Sequence, residues 1–179
     1  MEYGKAKKLM KRDVVIFSGG ADLEADLLRE SLNQLPEQGT VHLHYVDSVD
    51  QIKASLQRHG KRVQTVVMLL SGNENGFMLA KDGLVSLVQL GGSLNKDLLR
   101  DKAVHFSVDK LFTKLNHVSE FMLATEAKLV SGYMCKREFP LSVTLDCLSV
   151  HALTHDMSLW PLVERLGKKI SLCLTWRDY

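Results

Sequence analysis

The chain has 179 residues, 45% of them apolar, which is enough to fill one hydrophobic core and too apolar for a disordered segment. Its 23 Lys and Arg against 21 Asp and Glu leave a formal charge of +2, so nothing in the overall charge asks for nucleic acid. No apolar run reaches the length of a membrane span, and three scattered cysteines (Cys135, Cys147 and Cys173) without a CxxC fit a reducing cytoplasm rather than a disulfide framework.

The basic excess sits at the front, in Lys5, Lys7, Lys8, Lys11 and Arg12. Residues 1–12 read as a flexible, solvated arm, and no apolar stretch follows before Asp13 to make a secretory signal. Residues 13–179 read as one α/β domain.

Val14–Phe17 is a short apolar run that ends at Ser18-Gly19-Gly20, as a buried strand does. Leu23, Leu27, Leu28, Leu32 and Leu35 then recur at helical spacing up to Pro36. The stretch from Thr40 to Val46 alternates like a strand near a sheet edge. Val49, Ile52, Leu56 and His59 mark a second helix closed by Gly60. Val63–Leu70 is the most apolar stretch and predicts a central strand buried on both faces. It breaks at Ser71-Gly72, and residues 77–84, with Asp82-Gly83, predict a hairpin.

A Leu-rich helix follows (Leu87, Leu90, Leu94, Leu98, Leu99), with an interruption expected at Gly91-Gly92. Ala103–Ser107 is the fourth strand, and Val118, Phe121, Met122 and Thr125 mark a helix. Lys128–Tyr133 is the fifth strand. Pro140 opens a helix whose apolar stripe reads as Leu141, Leu145, Leu148 and Ala152. A last helix around 162–166 leads to an alternating edge strand, Ile170–Trp176.

Strands joined by helical crossovers are parallel, and the crossovers are right-handed. The expected fold class is therefore α/β: a three-layer α/β/α sandwich on a mostly parallel six-stranded sheet, order 2-1-3-4-5-6. Ligands of such a sheet sit at the carboxyl ends of its strands. That gathers Ser18, Gly19, Gly20, Ser71, Gly72 and Asp109 as ligand-binding candidates. Gly19-Gly20 before a helix can cradle an anion, although the segment matches neither GxGxxG nor a Walker loop. Asp109 also suits a cap on the segment that follows it.

The long apolar strand, the abrupt polar-Gly loop, the hairpin and the Leu-rich helix lead into Val104-His105-Phe106-Ser107. A helix with Phe121 and Thr125 follows, then Ser131-Gly132-Tyr133 and a helix carrying Asp146. From about Asp13 to Ile170 this resembles bacterial caspase-like domains. In that family the third strand ends in His-Gly and the fourth in Cys, so that an imidazole activates a thiol. Here Ser71 stands at the His position, and Val108 or Asp109 at the Cys position. The resemblance thus implies a pseudo-peptidase that acts by binding a protein, peptide or other ligand, without a catalytic residue of the family.

Two alternatives come from the residues. One is a cysteine hydrolase built on Cys135, beside Lys136 and Arg137, with His105 as the nearest histidine in the sequence pattern. The other is a small-ligand-binding Rossmann-like domain using the first Gly pair. For metals, His42 and His44 share a strand face and His151 and His155 lie one helical turn apart, but neither pair gains a third ligand from the sequence. No metal or cofactor is expected. A homodimer through the last strand is an option, with Lys168, Lys169 and Arg177 opposing it.

Overall fold

The computed structural model of the chain describes residues 12–36, 38–157 and 172–176. The first half runs β1 (Arg12–Gly19), α1 (Asp22–Asn33), β2 (Gln38–Tyr45), α2 (Val49–His59) and β3 (Val63–Leu70). Three short strands follow: β4 (Gly72–Asn73), β5 (Gly76–Leu79) and β6 (Gly83–Val85). The remainder is α3 (Leu87–Leu99), β7 (Ala103–Ser107), α4 (Leu115–Thr125), β8 (Leu129–Tyr133), α5 (Leu141–Thr154) and β9 (Leu172–Trp176).

The main sheet has the order β2-β1-β3-β7-β8-β9. Its strands pair in parallel, except that β9 runs antiparallel to β8. The side chains of each strand alternate between the two faces. Val15, Phe17, Val66, Met68, Leu70, Val104 and Phe106 fill a core with α2, α3 and α4. Val14, Ile16, Val67 and Leu69 fill a second core with α1 and α5. In β3 only Gln64 is exposed, which is why this run lies at the centre of the sheet.

Local signals explain most helix limits. Ser86 accepts from the Gln89 backbone and the Gln89 side chain accepts from Ser86 N, a reciprocal cap that starts α3. The Gly91-Gly92 pair does not interrupt α3. Gly91 lies against Phe121 of α4, so its missing side chain lets the two helices approach. The break comes later, at Asn95 (φ 51°), where the last turn is re-started by the Asn95 side chain accepting from Asp97 N.

Two expectations need correction. A single sheet is not the arrangement, because the strands divide between two sheets. β4, β5 and β6 form a separate antiparallel sheet that includes the hairpin read at 77–84. Its strands are too short to extend the main sheet, and they instead send Phe77, Leu79 and Val85 into the core beside α2 and α3. The leucine stripe of α5 holds only in part, with Leu145 and Ala152 buried. Leu141 and Leu148 are each 47% exposed, while Ser142, Asp146 and Ser149 face inward. The helix expected around 162–166, the arm up to residue 11 and Ile170 lie outside the described residues.

Gly132 in β8 lies directly under the ring of Phe112, where a β-carbon would overlap ring atoms. We expect Gly132→Ala to destabilise the fold by about 1–3 kcal/mol through overpacking, measured as a lower urea midpoint at unchanged slope.

Candidate functional site

Two polar constellations lie toward the carboxyl ends of the strands. The first is buried. On β7, His105 and Ser107 point to the α5 side, and on β8, Ser131 and Tyr133 do the same, because alternate residues share a face. Asp146 of α5 projects into this group. His105, Ser107, Ser131 and Asp146 are fully shielded from water and Tyr133 almost so.

Asp146 accepts from His105 Nε2 at 2.8 Å and from the Tyr133 hydroxyl at 2.5 Å, both on Oδ1, while Ser107 Oγ donates to Oδ2. His105 Nδ1 meets Ser131 Oγ at 2.7 Å. Burial pushes the Asp146 carboxyl up. Its hydrogen bonds and the His105 charge outweigh this and hold it below the usual carboxylate range. Burial, with Asp146 adding to it, drives the Tyr133 phenol far upward, so it stays a donor. Ser–His–Asp connectivity in this group is not an active site, since no member reaches the surface.

Arg137, in the segment after β8, covers this group at the rim. Its Nη1 donates to Ser107 Oγ at 2.5 Å and to Glu24 of α1 at 3.2 Å. Its Nε and backbone N both donate to Asp109 Oδ1, at 3.1 and 3.0 Å. Asp109 therefore binds across the rim to Arg137 rather than capping the turn after it, where Lys110 takes a left-handed backbone (φ 55°). Cys135 is half-buried and its carbonyl accepts from Lys110 N. Both ring nitrogens of His105 are engaged elsewhere, so the geometry does not join it to Cys135 as a nucleophile–base pair.

The second constellation surrounds a cavity of about 270 Å³ over the ends of β1 and β2. Ser18, Gly20, Asp22, Tyr45, Val46, Asp47 and Gln51 line it. Gly20 adopts φ +87° with open space where a side chain would stand, so the turn out of β1 leaves the mouth clear. Ser18 is 1% exposed, and its Oγ has no hydrogen-bond partner. Asp47 Oδ2 pairs with Lys81 Nζ at 2.9 Å, while Oδ1 is shielded and accepts no hydrogen bond. The Lys81 hydrogen bond holds the Asp47 carboxyl below its ordinary range. The tip of the second sheet fixes this loop: Lys81 N donates to Asp47 O at 2.9 Å, and Val49 N donates to Asp82 Oδ2 at 2.6 Å.

The other candidates disperse. Ser71 is exposed, and Gly72 packs against Val108, which is fully buried in the core. The side chains at the two positions that a caspase-like domain would use are therefore an exposed hydroxyl and a core residue. His42 and His44 do acquire a neighbour invisible in the sequence, since His59 at the end of α2 meets His44 Nε2 at 2.8 Å and its ring lies tilted at 4.3 Å from that of His42. Burial, with the neighbouring charges of His42 and Arg58, lowers the pKa of both His44 and His59. Among the described residues no three His, Cys, Asp or Glu side chains are arranged to hold a metal ion. Among them, too, no helix is long and apolar enough to cross a membrane.

Topology and rim define a doubly wound α/β/α domain with a polar cavity at its carboxyl edge. The chain belongs to the family of unknown function DUF6642, whose model matches residues 28–177. No curated protein matches it. Among solved structures it is similar to an oxidoreductase from Corynebacterium diphtheriae, at 10% identity and a TM-score of 0.47 over 83% of this chain and 99% of that one. It is also similar to the C-terminal domain of the coenzyme A biosynthesis bifunctional protein CoaBC, at 9% identity and a TM-score of 0.37 over 70% of this chain and 74% of that one. The caspase-like resemblance, and the pseudo-peptidase reading built on it, are corrected: the family shown is DUF6642, the strands form two sheets, and the two dyad positions hold an exposed Ser71 and a core Val108.

Glu24 was not singled out from the sequence, and Ser107 and Arg137 entered the reading only as part of the fourth strand and as a neighbour of Cys135. The available signal was the alternation of polar residues on two central strands, His105/Ser107 and Ser131/Tyr133, opposite the single carboxylate of α5. Removing one partner from such a buried charged group is costly, so Asp146→Ala should lower stability by about 3–5 kcal/mol in urea unfolding. Because the folded carboxyl is depressed, its contribution is present above the unfolded value near about 3.9 and is lost as pH falls through the folded pKa. Asp146→Asn should therefore show a shallower loss of stability on acidification than the parent chain.

Proposed function

We propose that this chain is a small-ligand-binding α/β domain whose ligand sits in the cavity over β1 and β2. The observation that carries the reading is Ser18 Oγ, buried and without a partner in the wall of that cavity. A buried hydroxyl left unpaired costs about 1–3 kcal/mol, which a ligand's polar group recovers. Asp47 Oδ1 presents a second shielded acceptor in the same wall.

The charge of the wall selects the ligand class. A helix N-terminus ordinarily attracts anions, but Asp22 and Glu24 already occupy the first turn of α1. Asp22 and Asp47 line the cavity and no Lys or Arg does. A phosphate would face two carboxylates there. A neutral vicinal diol suits the wall better, with one hydroxyl donating to Asp47 and another bonded to Ser18. The ligand is then a sugar or a nucleoside. An acidic residue after the second strand that receives ribose hydroxyls is a known feature of doubly wound dinucleotide-binding domains. The cavity lies just below the usual range of roughly 300–1,000 Å³ for small-molecule sites, which fits one sugar-sized group.

Calorimetric titration of the full chain with ribose, adenosine, 2′-deoxyadenosine and adenosine 5′-monophosphate tests this. We expect adenosine to bind more tightly than its deoxy and phosphorylated forms. Asp47→Asn should weaken adenosine by at least about tenfold, equivalent to about 1.4 kcal/mol, without unfolding the chain. Absence of binding by every diol, or tighter binding of the monophosphate, sinks the reading.

A further inference from the structure

The amino-terminal ends of β3 and β7, on the opposite rim, border a cavity of about 610 Å³. Its lining includes four cationic side chains (Lys61, Lys96, Arg100 and Lys102) against two carboxylates, Asp97 and Asp101. Arg100 and Lys96 share one further acidic neighbour, Glu126, at 2.7 and 3.8 Å.

Lys102 separates this wall from an ordinary basic surface. It is only 8% exposed, which is unusual for an ammonium. Its Nζ donates to the carbonyls of Gly60 at 2.9 Å and Val63 at 2.8 Å. An ammonium carries three N–H donors, so one is left. Among the described residues Lys102 forms no ion pair. Backbone carbonyls solvate a cation without neutralising it, and a buried charge without a counter-charge is costly. Burial accordingly lowers the pKa of this ammonium, against the opposing attraction of Asp101. An anion in the adjoining cavity would supply that counter-charge.

We propose that this cavity binds a small organic oxyanion, a phosphate- or carboxylate-bearing molecule whose charged group takes the remaining N–H of Lys102. Lys61 and Lys96, both exposed at the mouth, attract it from solution and add to its affinity. The cavity shares no residue with the one over β1 and β2, so the two readings stand or fall separately.

The experiment titrates the full chain with inorganic pyrophosphate and, separately, with citrate at fixed ionic strength, reading backbone amide NMR shifts. We expect saturable shifts at residues 60–64 and 96–102 with a Kd of about 1 mM or tighter, and the tighter probe identifies phosphate or carboxylate as the preferred group. The surface double variant Lys61→Glu/Lys96→Glu should weaken binding roughly tenfold or more, and Lys102→Met should abolish it. If Lys102→Met does not fold, the surface variant decides alone. Shifts that stay linear with both probes, that map elsewhere, or that are indifferent to the surface variant overturn the proposal.

Discussion

One carboxylate under a helix sets the arrangement of half the molecule. Asp146 is held away from water and stays ionised because His105, Ser107 and Tyr133 all donate to it. A charge in that position tolerates little displacement, since each donor lost leaves part of its desolvation uncompensated. The orientation of α5 reflects this. Ser142, Asp146 and Ser149 lie on one side of the helix at spacings of four and three residues, so turning Asp146 inward turns all three inward and leaves Leu141 and Leu148 outward. Val143, Leu145, Val150 and Leu153 are buried with Ser142, Asp146 and Ser149, so the buried charge and apolar packing choose the face together. Arg137 carries the same constraint to the rim, where its guanidinium joins Ser107, Asp109 and Glu24, and so links β7, the segment after β8 and α1.

The two rims of the sheet differ in charge. At the carboxyl edge, acidic groups line the cavity over β1 and β2, and the one guanidinium of the buried network is engaged by two carboxylates. At the amino edge, lysines and arginine predominate around a shielded ammonium. Helix dipoles alone would put the positive ends at the carboxyl edge. Side chains have inverted that tendency on α1, whose first turn carries two acids. The domain therefore presents opposite charges at the two ends of one sheet.

Much of the scaffold was legible because it depends on periodicity. The apolar runs at 14–17 and 66–70 read as strands covered on both faces, and the Leu spacing after residue 86 reads as a helix with one apolar side. Relations between distant residues were not legible. His59 lies 15 residues from His44, and Asp146 lies 41 from His105, and nothing local in either stretch names the other. The α5 stripe misled because Leu141 and Leu148 outweigh serines in any hydropathy count, although the serines flank the one residue with buried partners. The caspase-like resemblance misled for a different reason. It rested on element order, and one order of strands and helices serves many unrelated functions. The strand ends that would discriminate hold an exposed Ser71 and a core Val108.

The small antiparallel sheet has a bearing on how this family can vary. Surface hairpins usually gain and lose residues freely, because their tips touch nothing. Here the tip is tied to the loop after β2 by the Lys81 amide, the Lys81 ammonium and the Asp82 carboxylate. An extra residue between Leu79 and Gly83 would lift those groups off Asp47 and Val49. The length of this hairpin is thus set by its reach to another loop, and insertions among relatives should accumulate away from it.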